Sequence, residues 1–372
     1  MKVLLIGSAD SIWIKKIIEL TFIPFGDDVT VYTDSNTAYA DYYRSNNIKI
    51  IMQKPGKSPF STLLLNFRHM LKKYDLVHVH YVTSLAATLG MINSVFSRRF
   101  VLTFWGSDLF RVEKAKKPVR LALNFCSAVT MSTAEMRDRF RKDYGRSFDR
   151  KLKRAVFGVN GFDTLRSVSP DKTALRKKYG IPENKTVVSV GYSCKKEHQH
   201  LPVLSAIRDL PEELRSGIHI LLRMTYGCSD KSYPDKVKKA VSETGCTYSI
   251  YESFLSDEDT AELTLLTDIF IHAQVTDAKS ATLCEHLYAR CFVLNPSWIK
   301  YSDFENRVFY QEYDSFEQLK GMLADVLRSL SDEDIQKRLA ANTAAICKLC
   351  SWDSFIPQWR AVYTGKKLSR RR

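Results

Sequence analysis

Short, wholly apolar runs alternate along the chain with amphipathic or polar stretches, the pattern of parallel strands separated by helices. Val3–Ile6 reads as a strand that ends at Gly7-Ser8, ahead of a helix over Ile12–Leu20. Val29–Thr33, Leu76–His80, Phe100–Phe104 and Ala128–Ser132 read as further strands, with an amphipathic helix over Leu63–Lys73 and another from Ala134. Residues 163–184 are polar, carry Pro170 and Pro182, and predict a linker. The pattern then resumes. Thr186–Val190, Ile218–Leu222, Tyr248–Tyr251, Asp268–Ala273, Cys291–Leu294 and Val308–Tyr310 predict strands, and Ala281–Ala289, Ser315–Ser329 and Asp332–Leu349 predict helices. At 372 residues the chain exceeds one core of ordinary size. The expected fold class is therefore α/β, with two Rossmann-like domains facing a cleft.

The richest stretch is Thr276–Leu294, TDAKSATLCEHLYARCFVL, with seven residues between Asp277 and Glu285. Asp277 falls at a strand's carboxyl end, a polar turn follows, and Glu285 lies one turn inside the next helix. In open α/β sheets that edge is where ligands bind. The first helical turn offers free N–H groups and a positive dipole end, which suit a phosphate, and an acid one turn on suits a ribose diol. On spacing alone, an ordinary βαβ unit with two solvated acids fits equally well.

This stretch resembles the E-x7-E signature of nucleotide-sugar glycosyltransferases of the GT-B architecture, family-4-like members especially. Asp277 stands for the first Glu and Ser280 for the usual loop glycine. The resemblance implies that Glu285 holds the ribose and that Asp277 lies near the donor sugar as a catalytic group. Loop groups at Lys279, Ser280 and Ala281 would hold the diphosphate. Gly7 and Gly191, each closing a domain's first strand, join the donor-binding set.

The segment Gly191-Tyr192-Ser193-Cys194-Lys195-Lys196-Glu197 resembles the family's G-R-x-x-x-E-K segment, with Tyr192 where Arg is usual. Lys195 or Lys196 is the expected phosphate ligand, against a solvated lysine pair as the plain alternative. Arg223 is placed to supply the missing guanidinium, whose planar fork suits a phosphate. On the acceptor side, Phe104-Trp105-Gly106-Ser107-Asp108 is similar to a His-Gly-x-Asp segment, with Trp105 in place of His. Asp108 either orients or deprotonates an acceptor hydroxyl or caps a helix. Trp105 either stacks on a sugar or belongs to the core. The family pattern implies domains at 1–162 and 185–350, and a helix from 351 that crosses back to the first domain and ends in a basic tail at 372.

Charge changes the picture most. The formal net is +15; residues 1–160 hold 26 Lys and Arg against 13 Asp and Glu, and residues 161–372 hold 30 against 28. Basic clusters at Arg98-Arg99, Arg111–Arg120 and Arg137–Arg154 interleave with apolar residues, a pattern for an anionic membrane surface. No nucleic-acid-binding motif accompanies them, so no nucleic acid is expected. MKVLLIGS reads as a first strand rather than a signal peptide. Eight cysteines without a disulfide-like framework suit a reducing cytoplasm, and Cys347-x-x-Cys350 reads as a helix face rather than half a zinc site. His78 and His80 share one strand face, where packing explains them better than a metal does.

The expectation is a metal-independent, retaining glycosyltransferase on the cytoplasmic face of a membrane, with no cofactor beyond its nucleotide-diphosphate-sugar donor. Its acceptor would be a lipid-linked or polysaccharide glycan of the cell envelope or surface. Two alternatives stay open: a nucleotide-sugar epimerase of the same fold, and a basic scaffold for anionic lipid or RNA.

Overall fold

The structure, a computed structural model, describes residues 1–34, 36–52, 72–110 and 116–366. The chain forms two compact units, Met1–Gly158 with Trp352–Arg372, and Val159–Ser351. The expected helix over Leu63–Lys73, save its last two residues, lies outside the described residues, as do residues 111–115 of the basic run and tail residues 367–372.

The first unit holds β1 (Lys2–Ile6), β2 (Asp28–Thr33), β3 (Lys49–Met52), β4 (Leu76–His80), β5 (Arg99–Thr103), β6 (Ala128–Met131) and β7 (Leu152–Arg154). They form one sheet in the order β3-β2-β1-β4-β5-β6-β7, parallel throughout. The second unit holds β8 (Thr186–Val190), β9 (Ile218–Arg223), β10 (Thr247–Tyr251), β11 (Ile269–Ile271), β12 (Phe292–Pro296) and β13 (Gln311–Tyr313). Their order is β10-β9-β8-β11-β12-β13, again parallel. Both sheets reverse strand order once, between β1 and β4 and between β8 and β11. Those switch points open crevices at the strands' carboxyl ends. The central strands read as unbroken apolar runs because helices cover both faces.

Three expectations change. Residues 163–184 are not a linker: they lie in the second unit and include most of the Gly161–Ser167 helix and all of the Lys172–Tyr179 helix. Two of their charged residues are partnered rather than solvated. Lys172 and Arg176 reach Asp268 at 2.6 and 2.9 Å, and the same carboxylate takes the Val187 amide. The domain boundary falls at Gly158, not 162. The last strand is Gln311–Tyr313 rather than Val308–Tyr310.

The Trp352–Thr364 helix belongs to the first unit. Trp359 is fully buried there and donates its indole N–H to the Val156 carbonyl at 2.9 Å, while Tyr363 stacks on Phe22 with centroids 4.6 Å apart.

Candidate functional site

In the second unit the switch-point edge gathers most of the predicted donor residues. β8 ends at Gly191, whose φ of +63° lies in the left-handed region, and a Cβ there would meet His200 Nε2 at 2.7 Å. Only glycine makes this turn without strain. Lys195 follows half-buried, its stem across Gly227, where an added Cβ would lie 2.7 Å from its Cε. Lys196 is exposed. Tyr192, standing where the family has Arg, is bonded through its hydroxyl to the Gln274 amide and packs edge-on to His198.

The Ala281–Tyr288 helix begins at Ser280, a buried N-cap whose hydroxyl accepts from the Leu283 amide at 3.1 Å. The Ala281 and Thr282 amides have no partner within the helix by its geometry, and remain for an anion. Glu285, half-buried, accepts from the Gly161 amide at the start of the Gly161–Ser167 helix. A Cβ on Gly161 would come within 2.3 Å of Glu285 Oε1, so this approach needs glycine. Burial raises the Glu285 carboxyl above its ordinary value; the Arg223 charge pulls it down, Asp257 pushes it up, and the Gly161 amide pulls it down.

Arg223 is buried, with Nη1 3.3 Å from Thr264 Oγ1 and Nη2 3.3 Å from His286 Nε2. His286 Nδ1 lies 2.7 Å from the Thr282 carbonyl, so that nitrogen carries the proton and Nε2 accepts from Arg223. The expected direct phosphate contact of Arg223 is therefore corrected. Its two terminal nitrogens are engaged by the core while Nε has no partner, and its charge acts on Glu285.

A second correction concerns Lys279. Its ammonium lies 3.4 Å from the Leu349 carbonyl, 4.0 Å from Asp303 and over the Phe304 ring, with 11 % of the side chain exposed. It serves the carboxyl end of the Glu333–Cys350 helix, where orphan carbonyls and the dipole favour a cation. Only its backbone amide stays with the turn before the Ala281–Tyr288 helix.

Asp277 accepts from the Ala278 amide at 2.7 Å and from the Tyr301 hydroxyl at 3.2 Å. His272 Nε2 lies 3.9 Å from the same carboxylate. The Asn295 amide nitrogen is committed to the Pro296 and Ile299 carbonyls, so Asn295 Oδ1 accepts from His272 Nδ1 at 2.9 Å. Neither Tyr301 nor Asn295 was foreseeable from motif spacing; Asn295 is a buried residue of β12 and Tyr301 a buried residue of the loop after it.

In the first unit Asp108 is fully buried. One oxygen accepts from the Trp105 and Gly106 amides at 2.9 and 3.0 Å, the other from the Val82 amide at 2.7 Å. The structure corrects the reading of Asp108 as a base: it clamps the loops after β4 and β5 together, with both oxygens engaged by backbone. Beside it a cavity of about 330 Å³ opens at the carboxyl ends of β1, β2, β4 and β5. Gly7 and Trp105 both line it. Gly7 lies in the first unit, apart in the chain from the other expected donor residues, which belong to the second. The Trp105 indole N–H points to His80 Nδ1 at 3.3 Å. Burial lowers His80 to a pKa of about 3, and lowers His78 as well. Asp34 and Tyr81, which the sequence reading passed over, also line the cavity. Asp34 had a signal: it is the acid directly after a predicted strand. Among the described residues no three of His, Cys, Asp and Glu gather to hold a metal, and Cys350 packs on Cys284 with sulfurs 3.7 Å apart.

Known proteins share this architecture. Residues 2–133 match the glycosyl transferase 4-like family. That match covers the first unit's sheet only as far as β6, and solved structures extend the likeness in fold, of the GT-B type, to the whole chain. A glycosyltransferase from Rickettsia africae superposes with a TM-score of 0.80 at 16 % identity, covering 99 % of both chains. Anabaena HepE in complex with UDP-glucose gives 0.72 at 16 % identity, covering 99 % of this chain and 100 % of its own. WaaG, a glycosyltransferase involved in lipopolysaccharide biosynthesis, gives 0.65 at 15 % identity over 98 % and 100 %. No curated protein matches the sequence. With these proteins the chain shares two parallel sheets of Rossmann type.

Proposed function

We propose that the enzyme moves a sugar from a nucleotide-diphosphate donor, bound by the second unit, to a membrane-associated glycan acceptor, bound by the first. The observation that carries this reading is the grouping of Glu285, the Ala281 and Thr282 amides and Lys195 at one switch-point edge. Glu285 holds the ribose, the amides and Lys195 hold the diphosphate, and Asp277 faces the donor sugar. Transfer proceeds with retention and without a metal. Amides and cations stabilise the leaving diphosphate as the sugar gains positive character. HepE has been solved with UDP and with UDP-glucose, which makes a uridine nucleotide the first donor to try.

The acceptor's membrane association is supported by the first unit's surface. The helices Ser84–Asn93 and Lys116–Phe125 pack together and run toward the amino ends of β5 and β6, where the Ser127 amide bonds the Phe100 carbonyl. Val95, Phe96, Leu121 and Phe125 are exposed there, with Arg98 and Lys117 beside them in sequence and equally exposed. Exposed apolar side chains among cations suit an anionic leaflet. No helix among the described residues is long and apolar enough to cross a membrane. Assembly of a cell-envelope polysaccharide is the setting that fits such an acceptor.

Thermal denaturation with uridine, guanosine and adenosine diphosphates and their sugars tests the donor half, because a ligand bound only by the folded state raises Tm. A rise with one nucleotide series, abolished in Glu285→Ala, is the expected result. No rise with any of them overturns the reading.

A further inference from the structure

We propose that Cys228 and Cys194 are a modification site, a pair of thiols that a peroxide links into a disulfide beside Lys195. That the disulfide lowers nucleotide affinity rests on the donor reading above; its formation does not.

The pair sits on two neighbouring turns of the second unit. Cys194 follows β8 and Cys228 follows β9, strands that lie side by side in the sheet. The Cys194 amide donates to the Tyr226 carbonyl at 2.8 Å and ties the two turns together. Gly227 comes next with φ +83°, and the Cys228 thiol lies within hydrogen-bonding reach of the Cys194 thiol. A disulfide holds its sulfurs about 2 Å apart. To close it, Cys228 must release the Asp230 carbonyl, to which its thiol donates at 3.1 Å.

The two thiols differ in access. Cys228 is exposed, whereas Cys194 is only 3 % exposed. Burial pushes the Cys194 thiol up to about 12; Cys228 and the Glu252 charge add to the rise, and Lys238 pulls against it. Cys228 therefore meets the oxidant first. Its sulfur attacks one oxygen of hydrogen peroxide, the O–O bond breaks, and the departing hydroxide takes the thiol proton and leaves as water. The Cys194 sulfur then attacks the sulfur of this sulfenic acid. The S–O bond breaks, and the hydroxyl takes the Cys194 proton and leaves as a second water. The two thiols lose two electrons and the peroxide gains them. Cys284 and Cys350 also pair, with sulfurs 3.7 Å apart, but both are fully buried and out of an oxidant's reach.

Lys195 links the pair to binding. It directly follows Cys194, and its stem lies on Gly227, the residue before Cys228. A Cβ added to Gly227 would stand 2.7 Å from both Cγ and Cε of Lys195, so the turn and the stem are already in close contact. Swinging Cys228 toward Cys194 drives the Gly227 turn against that stem and displaces the ammonium from the diphosphate. The disulfide thus weakens ligands that carry a diphosphate and spares the nucleoside.

The test treats the full chain with hydrogen peroxide, maps disulfides by mass spectrometry of unreduced peptides, and measures UDP and uridine by calorimetry. A peptide linking Cys194 to Cys228 should appear. UDP should bind about tenfold more weakly, the scale of one lost hydrogen bond to a charged group, with uridine unchanged. Dithiothreitol should restore both the thiols and the affinity, by exchange through a mixed disulfide. Cys228→Ser, at an exposed position, should bind UDP as wild type does and ignore peroxide. Lys195→Ala should form the same linkage with no further loss of UDP. No linkage, a Cys228 that runs on to sulfinic acid beside a free Cys194, a linked chain of unchanged UDP affinity, or the same loss in Cys228→Ser overturns the inference. A reduced chain that binds no UDP sinks the donor reading alone, and the linked peptide then decides the modification site.

Discussion

At the carboxyl edge of the first sheet, Asp108 accepts three backbone amides while Tyr81 and Trp105 wall a cavity. At the same edge of the second sheet, Glu285 accepts one amide and feels the charge of Arg223, with Lys195 and a helix start on the same edge. Both acids follow strands of one topology, and both looked functional in the sequence. The difference lies in how many donors the protein itself supplies. A buried carboxylate filled by backbone amides is a structural clamp; one with remaining acceptor capacity and a cation behind it can take a ligand's hydroxyls.

The strongest way to break this contrast is Asp108→Ala. Three buried amides would lose their acceptor, and each unsatisfied group costs about 1–3 kcal/mol, so a loss of stability of about 3–5 kcal/mol is expected in chemical denaturation. UDP affinity of the folded fraction should be unchanged. A variant of native stability that loses only turnover would restore Asp108 as the acceptor base.

Next comes Glu285→Ala. Two hydrogen bonds from a ribose diol to a charged acceptor are worth roughly 2–4 kcal/mol, read as UDP affinity by calorimetry. Asp277→Ala should mainly lower turnover. Equal UDP affinity in wild type and the Glu285 variant would remove the ribose assignment. The pH dependence sharpens it. Burial holds the Glu285 carboxyl above its ordinary value, so UDP affinity should fall, as pH drops, sooner than an ordinary carboxylate would make it. Stability moves the other way: the folded chain keeps this proton longer than the unfolded one. This group's contribution is thus full below the ordinary carboxyl range and lost as pH rises through the raised value. Glu285→Gln should flatten both profiles.

The two lysines separate at smaller scale. Lys195→Ala should weaken UDP by about 1–2 kcal/mol while sparing uridine, and Lys196→Ala should do little, because only Lys195 lies along the Gly227 turn. Proportional loss of UDP and uridine in Lys195→Ala would make the residue structural.

The architecture was legible because the central strands are long apolar runs that little else explains, and because parallel strands with helical crossovers leave few topologies. β3 and β7 were missed for the converse reason. Lys49–Met52 and Leu152–Arg154 sit at the two sheet edges and carry charged or half-exposed residues. The 163–184 segment misled because polarity was read as solvation, while Lys172 and Arg176 face Asp268 across the unit's own core. Within the site, Glu285 and Ser280 stood out by spacing. Tyr301, Gly161 and Arg223's engagement with His286 depend on contacts across 60 residues or more, or across separate loops, and no local pattern encodes them. Lys279 shows the limit of motif transfer: the position matched, but a helix end and Asp303 claimed the side chain.

The smallest effect expected concerns the opposite edge of the first sheet. If Phe96 and Phe125 enter an anionic leaflet, vesicles with acidic lipid should bind the protein and neutral ones should not. Charge reversal at Arg98 and Lys117 removes on the order of 1 kcal/mol per residue near such a surface, an effect that salt erases within a Debye length. Replacing Phe96 and Phe125 by Ser should instead weaken binding at every salt concentration, because burial of apolar area is not screened. UDP affinity should be untouched in both sets, since Glu285 and Lys195 belong to the other unit. Binding indifferent to lipid charge would turn attention from membrane to another anionic partner, RNA first. Salt-sensitive binding that ignores both phenylalanines would keep the membrane but move the contact to the basic surface around Arg150 and Lys153, at the start of β7.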